Sequence, residues 1–209
     1  MNEKNFPAKF LYLADMNNSD DSKGNPVLRE MEELSHKMAS RQMCHLAIAN
    51  ITKILLMKVF QETPQIPVIL APIMRSGVSM LPTAQEFFNF PEVMFMSGER
   101  KDGKTTVTIQ KRLVTEGKHV VILDPIIATG NTAIKAYKSL NDKTSTNVSC
   151  TMISCYASPE GVTNIQRTIT ADLFVGCLAL TVDNAGYLMP STNGDMGDKL
   201  FGIEKPNGE

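Results

Sequence analysis

The segment HVVILDPIIATGNTAIKAYKSL, residues 119–140, joins a buried strand to a helix. Its first residues form an apolar run, which is typical of a β-strand covered on both faces. Asp124 ends this run, small residues follow, and residues 132–140 then have the pattern of a helix. A buried strand, a short turn and a helix form the repeating unit of a parallel α/β sheet.

The same alternation extends through the chain. We predict strands at 68–72, 91–98, 105–113, 119–124, 147–157 and 172–182, and helices between 28 and 60 (one long helix or two in succession) and at 83–90, 132–140 and 159–169. This order predicts an α/β fold with a mostly parallel central sheet flanked by helices. Because the chain has no internal repeat and no low-complexity linker, we predict an N-terminal arm over residues 1–27 and a single domain over residues 28–209.

The composition is that of an ordinary globular protein, with 209 residues, 43% hydrophobic, 21% charged and a formal net charge of -1. Without a polybasic surface we expect no nucleic-acid or membrane partner. The four cysteines, Cys44, Cys150, Cys155 and Cys177, lie in apolar stretches without metal-ligand spacing, so we expect reduced core thiols. There is neither a signal-peptide pattern nor an apolar run of about 18 residues, and we expect a cytoplasmic protein.

Ligands of parallel sheets bind at the carboxyl ends of the strands. After the strand at 119–124, the small and hydroxyl residues Ala128, Thr129, Gly130, Asn131 and Thr132 precede a helix, which is the pattern of a phosphate-binding loop. The alternative is that Thr129 or Thr132 only caps the helix. The nearby aspartate at the strand end favours the phosphate site, because a buried carboxylate is costly unless it is used, and ribose hydroxyls are a suitable partner.

Two further segments carry positive charge. In LAPIMRSG, Arg75 lies between a strand end and a helix start, where it is suited to a diphosphate; otherwise it is a surface residue. In ERKDGKTTV, Arg100, Lys101 and Lys104 lie at the tip of a predicted hairpin, which is either a solvated turn or a basic arm that folds over an anion.

The last segment is DNAGYLMPSTNGDMGDKLFG, which begins at residue 183. Asp195 and Asp198 alternate with Gly194 and Gly197, a pattern that indicates backbone lying close to a ligand. The alternative is a flexible C-terminal loop, which explains neither the aspartate spacing nor the flanking apolar residues.

In this order, LAPIMRSG, ERKDGKTTV, LDPIIATGNT and GYLMPSTNGDMGDKLFG resemble the motifs of the uracil phosphoribosyltransferases, a type I phosphoribosyltransferase family. That family has approximately VPILRAG, a basic hairpin, LDPMLATGGS and GYIxPGLGDAGDRxFG. The resemblance covers roughly residues 28–203. It implies a β-hairpin arm at about 95–113 and a small C-terminal base-binding hood at about 183–203.

The resemblance implies transfer of ribose 5-phosphate from phosphoribosyl diphosphate to N1 of uracil, giving UMP and diphosphate. Asp124, Arg75 and Asp195 are then the expected catalytic residues, and Arg75, Arg100, Asp124, Ala128, Thr129, Gly130, Asn131, Thr132 and Asp195 bind phosphoribosyl diphosphate. Tyr187, Leu188, Gly194 and Met196 are expected around the base. Mg²⁺ is expected to arrive with the diphosphate rather than on a protein site, and a homodimer is implied.

The chain departs from the family pattern at two places that bear on the site. Ser191, Thr192 and Asn193 replace a Gly-Leu pair in the stretch that shapes the base pocket. Asn131 replaces the second glycine of the phosphate loop, and asparagine adopts left-handed backbone better than most residues. Two alternatives therefore stand beside uracil transfer: a phosphoribosyltransferase for another base, and a ligand-binding regulatory homologue without turnover.

Overall fold

The structure, a computed structural model, describes residues 9–16, 24–36, 39–62, 66–101, 104–142, 147–182, 188–189 and 195–202. The strands are β1 (Phe10–Asp15), β2 (Val68–Met74), β3 (Glu92–Val93), β4 (Met96–Lys101), β5 (Lys104–Ile109), β6 (His119–Leu123), β7 (Ile126–Ile127), β8 (Cys150–Ala157), β9 (Asp172–Leu178), β10 (Thr181–Val182) and β11 (Leu188–Met189). The helices are α1 (Pro26–Ser35), α2 (Arg41–Glu62), α3 (Leu81–Phe87), α4 (Asn131–Asn141), α5 (Pro159–Thr168) and α6 (Met196–Phe201), and a 3-10 turn, Ser76–Met80, precedes α3.

The central sheet has the strand order β1-β9-β8-β6-β2-β4-β5, with β3 beside β2 and β7 beside β8. Every pairing along this order is parallel except that of β4 with β5, which form an antiparallel hairpin. The predicted α/β class, the mostly parallel sheet and the hairpin arm are therefore confirmed. A separate antiparallel pair, β10 with β11, lies at the start of the predicted hood.

Both faces of the sheet are covered, which explains the uninterrupted apolar strands. Leu70 and Val121 belong to a buried cluster with the apolar residues of α1, α2, α3 and α6. Their neighbours Ile69 and Val120 belong to a second cluster with α4 and α5. Because successive side chains of a strand point to opposite faces, a strand between two helical layers needs apolar residues at every position.

The predicted arm over residues 1–27 was wrong in part, because β1 is an edge strand of the main sheet. Its residues pair in parallel with β9, from Phe10 opposite Leu173 to Asp15 opposite Leu178. The boundary at residue 28 also falls inside α1, which begins at Pro26 after the Asn25 side chain accepts a hydrogen bond from the backbone of Val27. Residues 1–8 and 17–23 lie outside the described part of the chain.

Of the two alternatives for the segment between 28 and 60, the structure has two helices in succession, α1 and α2. Other elements differ from prediction. The strand predicted at 91–98 is divided into β3 and β4, which pair with different parts of β2. The strand predicted at 172–182 ends at Leu178, after which the chain leaves the sheet and forms β10. Among the described helices, none combines the length and the apolar character required to cross a membrane.

Candidate active site

A cleft of about 540 Å³ opens at the carboxyl ends of β2 and β6. Its walls are the loops that follow these two strands, the hairpin residues Ser97, Gly98, Glu99 and Thr105, and the hood residues Leu188, Asp195, Met196 and Gly197. The parallel sheet brings together segments that are far apart in sequence, because each strand ends at the same edge. The predicted phosphate, ribose and base elements therefore meet in one cavity.

Asp124 lies at the floor of this cleft, immediately after β6, and is only 8% exposed. Burial raises the pKa of its carboxyl from 3.8 to about 7, against the opposing effect of hydrogen bonds from the Ile126 backbone and the Ser76 hydroxyl. The nearby Asp195 carboxylate adds a smaller upward contribution to this pKa. A carboxylate with so little access to water is suited to accept hydrogen bonds from bound hydroxyl groups.

The loop at 128–132 forms the wall next to Asp124, and all five of its residues line the cleft. Gly130, with a φ of 79°, is the residue before α4, and no side chain caps this helix. The alternative that Thr129 or Thr132 serves as the cap is therefore wrong. The first-turn N–H groups of a helix have no intrahelical partners, so the start of α4 offers backbone donors to an anion in the cleft.

Asn131 is the first residue of α4 and has helical backbone. The left-handed conformation falls on Gly130 instead. The sequence suggested that Asn131 would need left-handed backbone in place of the family's second glycine. It does not, because in this loop Gly130 has the left-handed conformation and Asn131 is helical.

Helix α5 holds the loop at 128–132 from behind. The Ser158 hydroxyl donates to the carbonyl of Ala128, and the Asn164 amide donates to the carbonyl of Thr129 at 3.0 Å. A Cβ atom on Gly161 would lie 2.2 Å from the Ala128 oxygen, so only glycine allows this approach. These contacts fix the loop carbonyls on the α5 side.

Arg75 also lines the cleft, and its guanidinium contacts the hood. Its Nη2 forms an ion pair with Asp198, its Nη1 donates to the carbonyl of Gly202 at 3.2 Å, and Asp195 Oδ1 lies 3.9 Å from Nη2. Arg75 is thus a surface residue, 45% exposed, that is also held by an ion pair. The guanidinium lines the same cleft as the phosphate loop.

The hood residues within the described chain also face the cleft. Asp195 caps α6 by accepting a hydrogen bond from the backbone of Asp198 at 3.0 Å, and its side chain is 58% exposed. Leu188 and Met196 are buried, at 3% and 5% exposure, and form an apolar part of the wall. The predicted base residues Tyr187 and Gly194, and the altered stretch 191–193, lie outside the described residues.

Arg100 belongs to β4, where its backbone pairs with Thr105 of β5. Its side chain lies outside the described part of the structure, so its predicted contact with the diphosphate stays a prediction. The hairpin nevertheless reaches the site, because Thr105 of this pair and Glu99, the residue before Arg100, line the cleft.

Sequence reasoning missed several residues that act at the site. Asp198 was noted only for its spacing, although it pairs with Arg75. Ser76 and Gly161 carried no local signal, since their importance comes from contacts with Asp124 and Ala128 across the fold. Glu99 was not predicted to line the cleft, because it lies in a charged segment and such segments are usually exposed to solvent.

The fold is that of a type I phosphoribosyltransferase. A structure titled AQ2163 protein from Aquifex aeolicus superposes with a TM-score of 0.77, at 20% identity, over 92% of this chain and 99% of that chain. The Helicobacter pylori xanthine-guanine-hypoxanthine phosphoribosyltransferase superposes with a TM-score of 0.50, at 18% identity, over 66% of this chain and 84% of that chain.

Sequence comparisons identify the family within this class of phosphoribosyltransferases. The uracil phosphoribosyltransferase of Mycoplasma genitalium is 27% identical, over 85% of this chain and 96% of its own length. That of Bifidobacterium animalis is 31% identical, but the match covers 65% of this chain and 66% of the relative. The family profile described as uracil phosphoribosyltransferase matches residues 20–203. The chain belongs to the uracil phosphoribosyltransferase family.

Proposed function

We propose that the protein is a uracil phosphoribosyltransferase that converts uracil and phosphoribosyl diphosphate into UMP and diphosphate. The observation that carries this proposal is the meeting, in one cleft, of the loop at 128–132, the buried Asp124 and the apolar hood residues Leu188 and Met196. These three surfaces match the three parts of the product: a phosphate, a ribose and a planar base.

In this assignment the backbone N–H groups at the start of α4 hold the 5′-phosphate, and Asp124 accepts hydrogen bonds from the ribose hydroxyls. Arg75, with Arg100 from the hairpin, neutralises the leaving diphosphate. Tyr187, Leu188, Gly194 and Met196 surround the base, with Asp195 between the base and the diphosphate.

The chemistry requires positioning and electrostatics rather than a covalent nucleophile. The bond from the anomeric carbon to the diphosphate oxygen breaks, a bond to N1 of uracil forms, and the N1 proton is released. Positive charge develops on the ribose ring while negative charge develops on the diphosphate. The Asp124 carboxylate and the Arg75 guanidinium both line the cleft and have the charges that stabilise these two centres.

We propose that Mg²⁺ is required and enters with the diphosphate. Within the described residues there is no cluster of three or more His, Cys, Asp or Glu side chains suited to a metal. Mg²⁺ typically binds substrate phosphates, water and one or two carboxylates, and the exposed Asp195 at the cleft is suited to this shell. When bound, the ion supplies charge neutralisation of the diphosphate.

The test is an assay of nucleotide formation from phosphoribosyl diphosphate, Mg²⁺ and a panel of free pyrimidines and purines. We expect UMP from uracil and no product from the other bases. Product from a different base would instead identify a phosphoribosyltransferase of altered specificity. Binding of phosphoribosyl diphosphate without product from any base would identify a regulatory homologue and contradict the proposal.

We also propose that the enzyme is a homodimer that associates through α2. Met43, Leu46 and Met57 lie on the outer face of this helix and are 37%, 56% and 52% exposed. Apolar side chains aligned on one outer face of a long helix favour burial against a second copy.

The change Leu46→Glu combined with Met57→Glu is expected to convert the dimer into a monomer, because two charges would be buried in the interface. Sedimentation velocity measures this directly, and the wild type is expected at twice the chain mass of 23.0 kDa. Val114→Glu is the matched control, since Val114 is 71% exposed on the loop after β5. A wild-type monomer, or a double variant that still dimerises, would contradict the assignment.

We propose the cytoplasm as the site of action. All four cysteines are free and buried, which suits a reducing compartment.

A further inference from the structure

The guanidinium of Arg75 is shared between the active-site cleft and the hood. It comes from the loop after β2, lines the cleft, and bonds to Asp198 of α6 and to the carbonyl of Gly202. The diphosphate expected in the cleft requires the same guanidinium. The hood carboxylate and the substrate therefore compete for one cation.

Asp198 is held in place independently of Arg75, because α6 is anchored on its other side. The ammonium of Lys199 donates to the carbonyl of Leu34 at 2.6 Å, which ties α6 to the end of α1. The ring of His45 on α2 lies 3.2 Å from the carbonyl of Leu200 and meets the ring of Phe201 edge-on at 5.6 Å between centroids. These contacts of α6 with α1 and α2 thus hold the Asp198 carboxylate beside Arg75.

The Asp198 side chain is not required to cap its own helix. Asp195 performs that role by accepting from the backbone N–H of Asp198. The carboxylate of Asp198 is 35% exposed and forms an ion pair with Arg75. Since Asp195 caps the helix, the Asp198 side chain is available to hold the guanidinium of Arg75 in position.

We propose that Asp198 is a positioning residue that holds Arg75 against the hood while the diphosphate site is empty and releases Nη2 to the diphosphate when substrate binds. This inference rests on the proposed function, since it assumes that Arg75 receives the diphosphate. The bond from Nη1 to Gly202 keeps the guanidinium oriented during the exchange. The arginine is therefore ordered before substrate arrives, and the cost is a carboxylate that opposes the incoming anion.

The test is calorimetric titration of inorganic diphosphate and of phosphoribosyl diphosphate, each with Mg²⁺, into the wild type, Asp198→Asn and Asp198→Glu. Asparagine keeps the size and the acceptor oxygen but removes the charge, so we expect both ligands to bind about threefold to tenfold more tightly. Glutamate keeps the charge and is expected to restore wild-type affinity. In the steady state, the KM for phosphoribosyl diphosphate is expected to fall in Asp198→Asn, while the KM for uracil stays within about twofold.

Asp142→Asn is the matched control, because it removes one negative charge at the far end of α4 and is expected to leave both affinities unchanged. Unchanged or weaker binding in Asp198→Asn, or equal effects of asparagine and glutamate, would overturn the inference. Thermal unfolding accompanies each titration, and Asp198→Ser gives the same comparison if the asparagine variant is unstable. If the wild type forms UMP but Asp198→Asn does not bind the two ligands more tightly, only this inference is refuted. If the wild type binds neither ligand, the proposed function is refuted as well.

Discussion

Replacement of Asp124 by asparagine is expected to lower kcat/KM for phosphoribosyl diphosphate by about 100-fold or more. The carboxylate is buried and lines the cleft. In the proposed function it accepts hydrogen bonds from the ribose hydroxyls and stabilises the positive charge that develops on the ring. Asparagine has nearly the same volume, so the fold is expected to persist. Steady-state kinetics with circular dichroism of the same samples measures both quantities, and unchanged kinetics in a folded variant would contradict the role of Asp124.

The pH dependence of wild-type activity is expected to follow the ionisation of Asp124. Burial raises the pKa of Asp124 to about 7 in the unliganded protein. Because the proposed function assigns the ribose hydroxyls to the ionised carboxylate, kcat/KM for phosphoribosyl diphosphate is expected to fall as pH drops below about 7. Asp124→Asn is expected to lose this inflection, and a wild-type profile that is flat between pH 5 and 8 would contradict it.

The stability of the unliganded protein is expected to change with pH in the opposite sense. Between the ordinary pKa of 3.8 and the raised pKa of about 7, the folded protein keeps a proton that the unfolded chain has released. The contribution of Asp124 to the free energy of unfolding is therefore largest below pH 3.8 and decreases until pH passes about 7. Urea unfolding of the wild type and of Asp124→Asn at several pH values measures it, and the variant is expected to lack this decrease.

Gly161→Ala is expected to weaken the binding of phosphoribosyl diphosphate by about tenfold or more, although Gly161 lies on α5 and is absent from the lining of the cleft. The new methyl group would lie 2.2 Å from the oxygen of Ala128 and 2.9 Å from Ile127. Backbone atoms cannot yield as a flexible side chain does, so the phosphate loop must move. A loss of stability of about 1–3 kcal/mol is expected with it.

Gly117→Ala is the control that distinguishes displacement of the 128–132 loop from a general loss of stability. Gly117 has a φ of 69° and nothing within 4 Å of an added Cβ, so alanine there is strained without contacting the site. It is expected to lose about 1 kcal/mol of stability while binding phosphoribosyl diphosphate like the wild type. Equal affinity of Gly161→Ala and the wild type would show that α5 does not fix the phosphate loop.

The parts of the site that sequence predicted are those with local signals. The apolar strand ending in Asp124, the small residues of the loop and the arginine after β2 each combine a strand end with a residue type suited to an anion or a hydroxyl. The hairpin was likewise predictable, because alternating residues flank a charged turn that contains a glycine.

The parts that sequence did not predict depend on contacts between distant residues. Arg75 and Asp198 are 123 positions apart, and Gly161 touches a loop on another strand. Strand β1 was missed because a short edge strand is specified by its partner β9 rather than by its own six residues. In each case the role of the residue or strand depends on a partner distant in sequence, which the local sequence pattern does not indicate.

The most direct test of the account is the stoichiometry of a single reaction, in which labelled uracil is incubated with phosphoribosyl diphosphate and Mg²⁺ and both products are measured. We expect UMP and diphosphate in equal amounts, with none formed after chelation of the Mg²⁺. Consumption of phosphoribosyl diphosphate without UMP, or no reaction in a protein that binds both substrates, would contradict it.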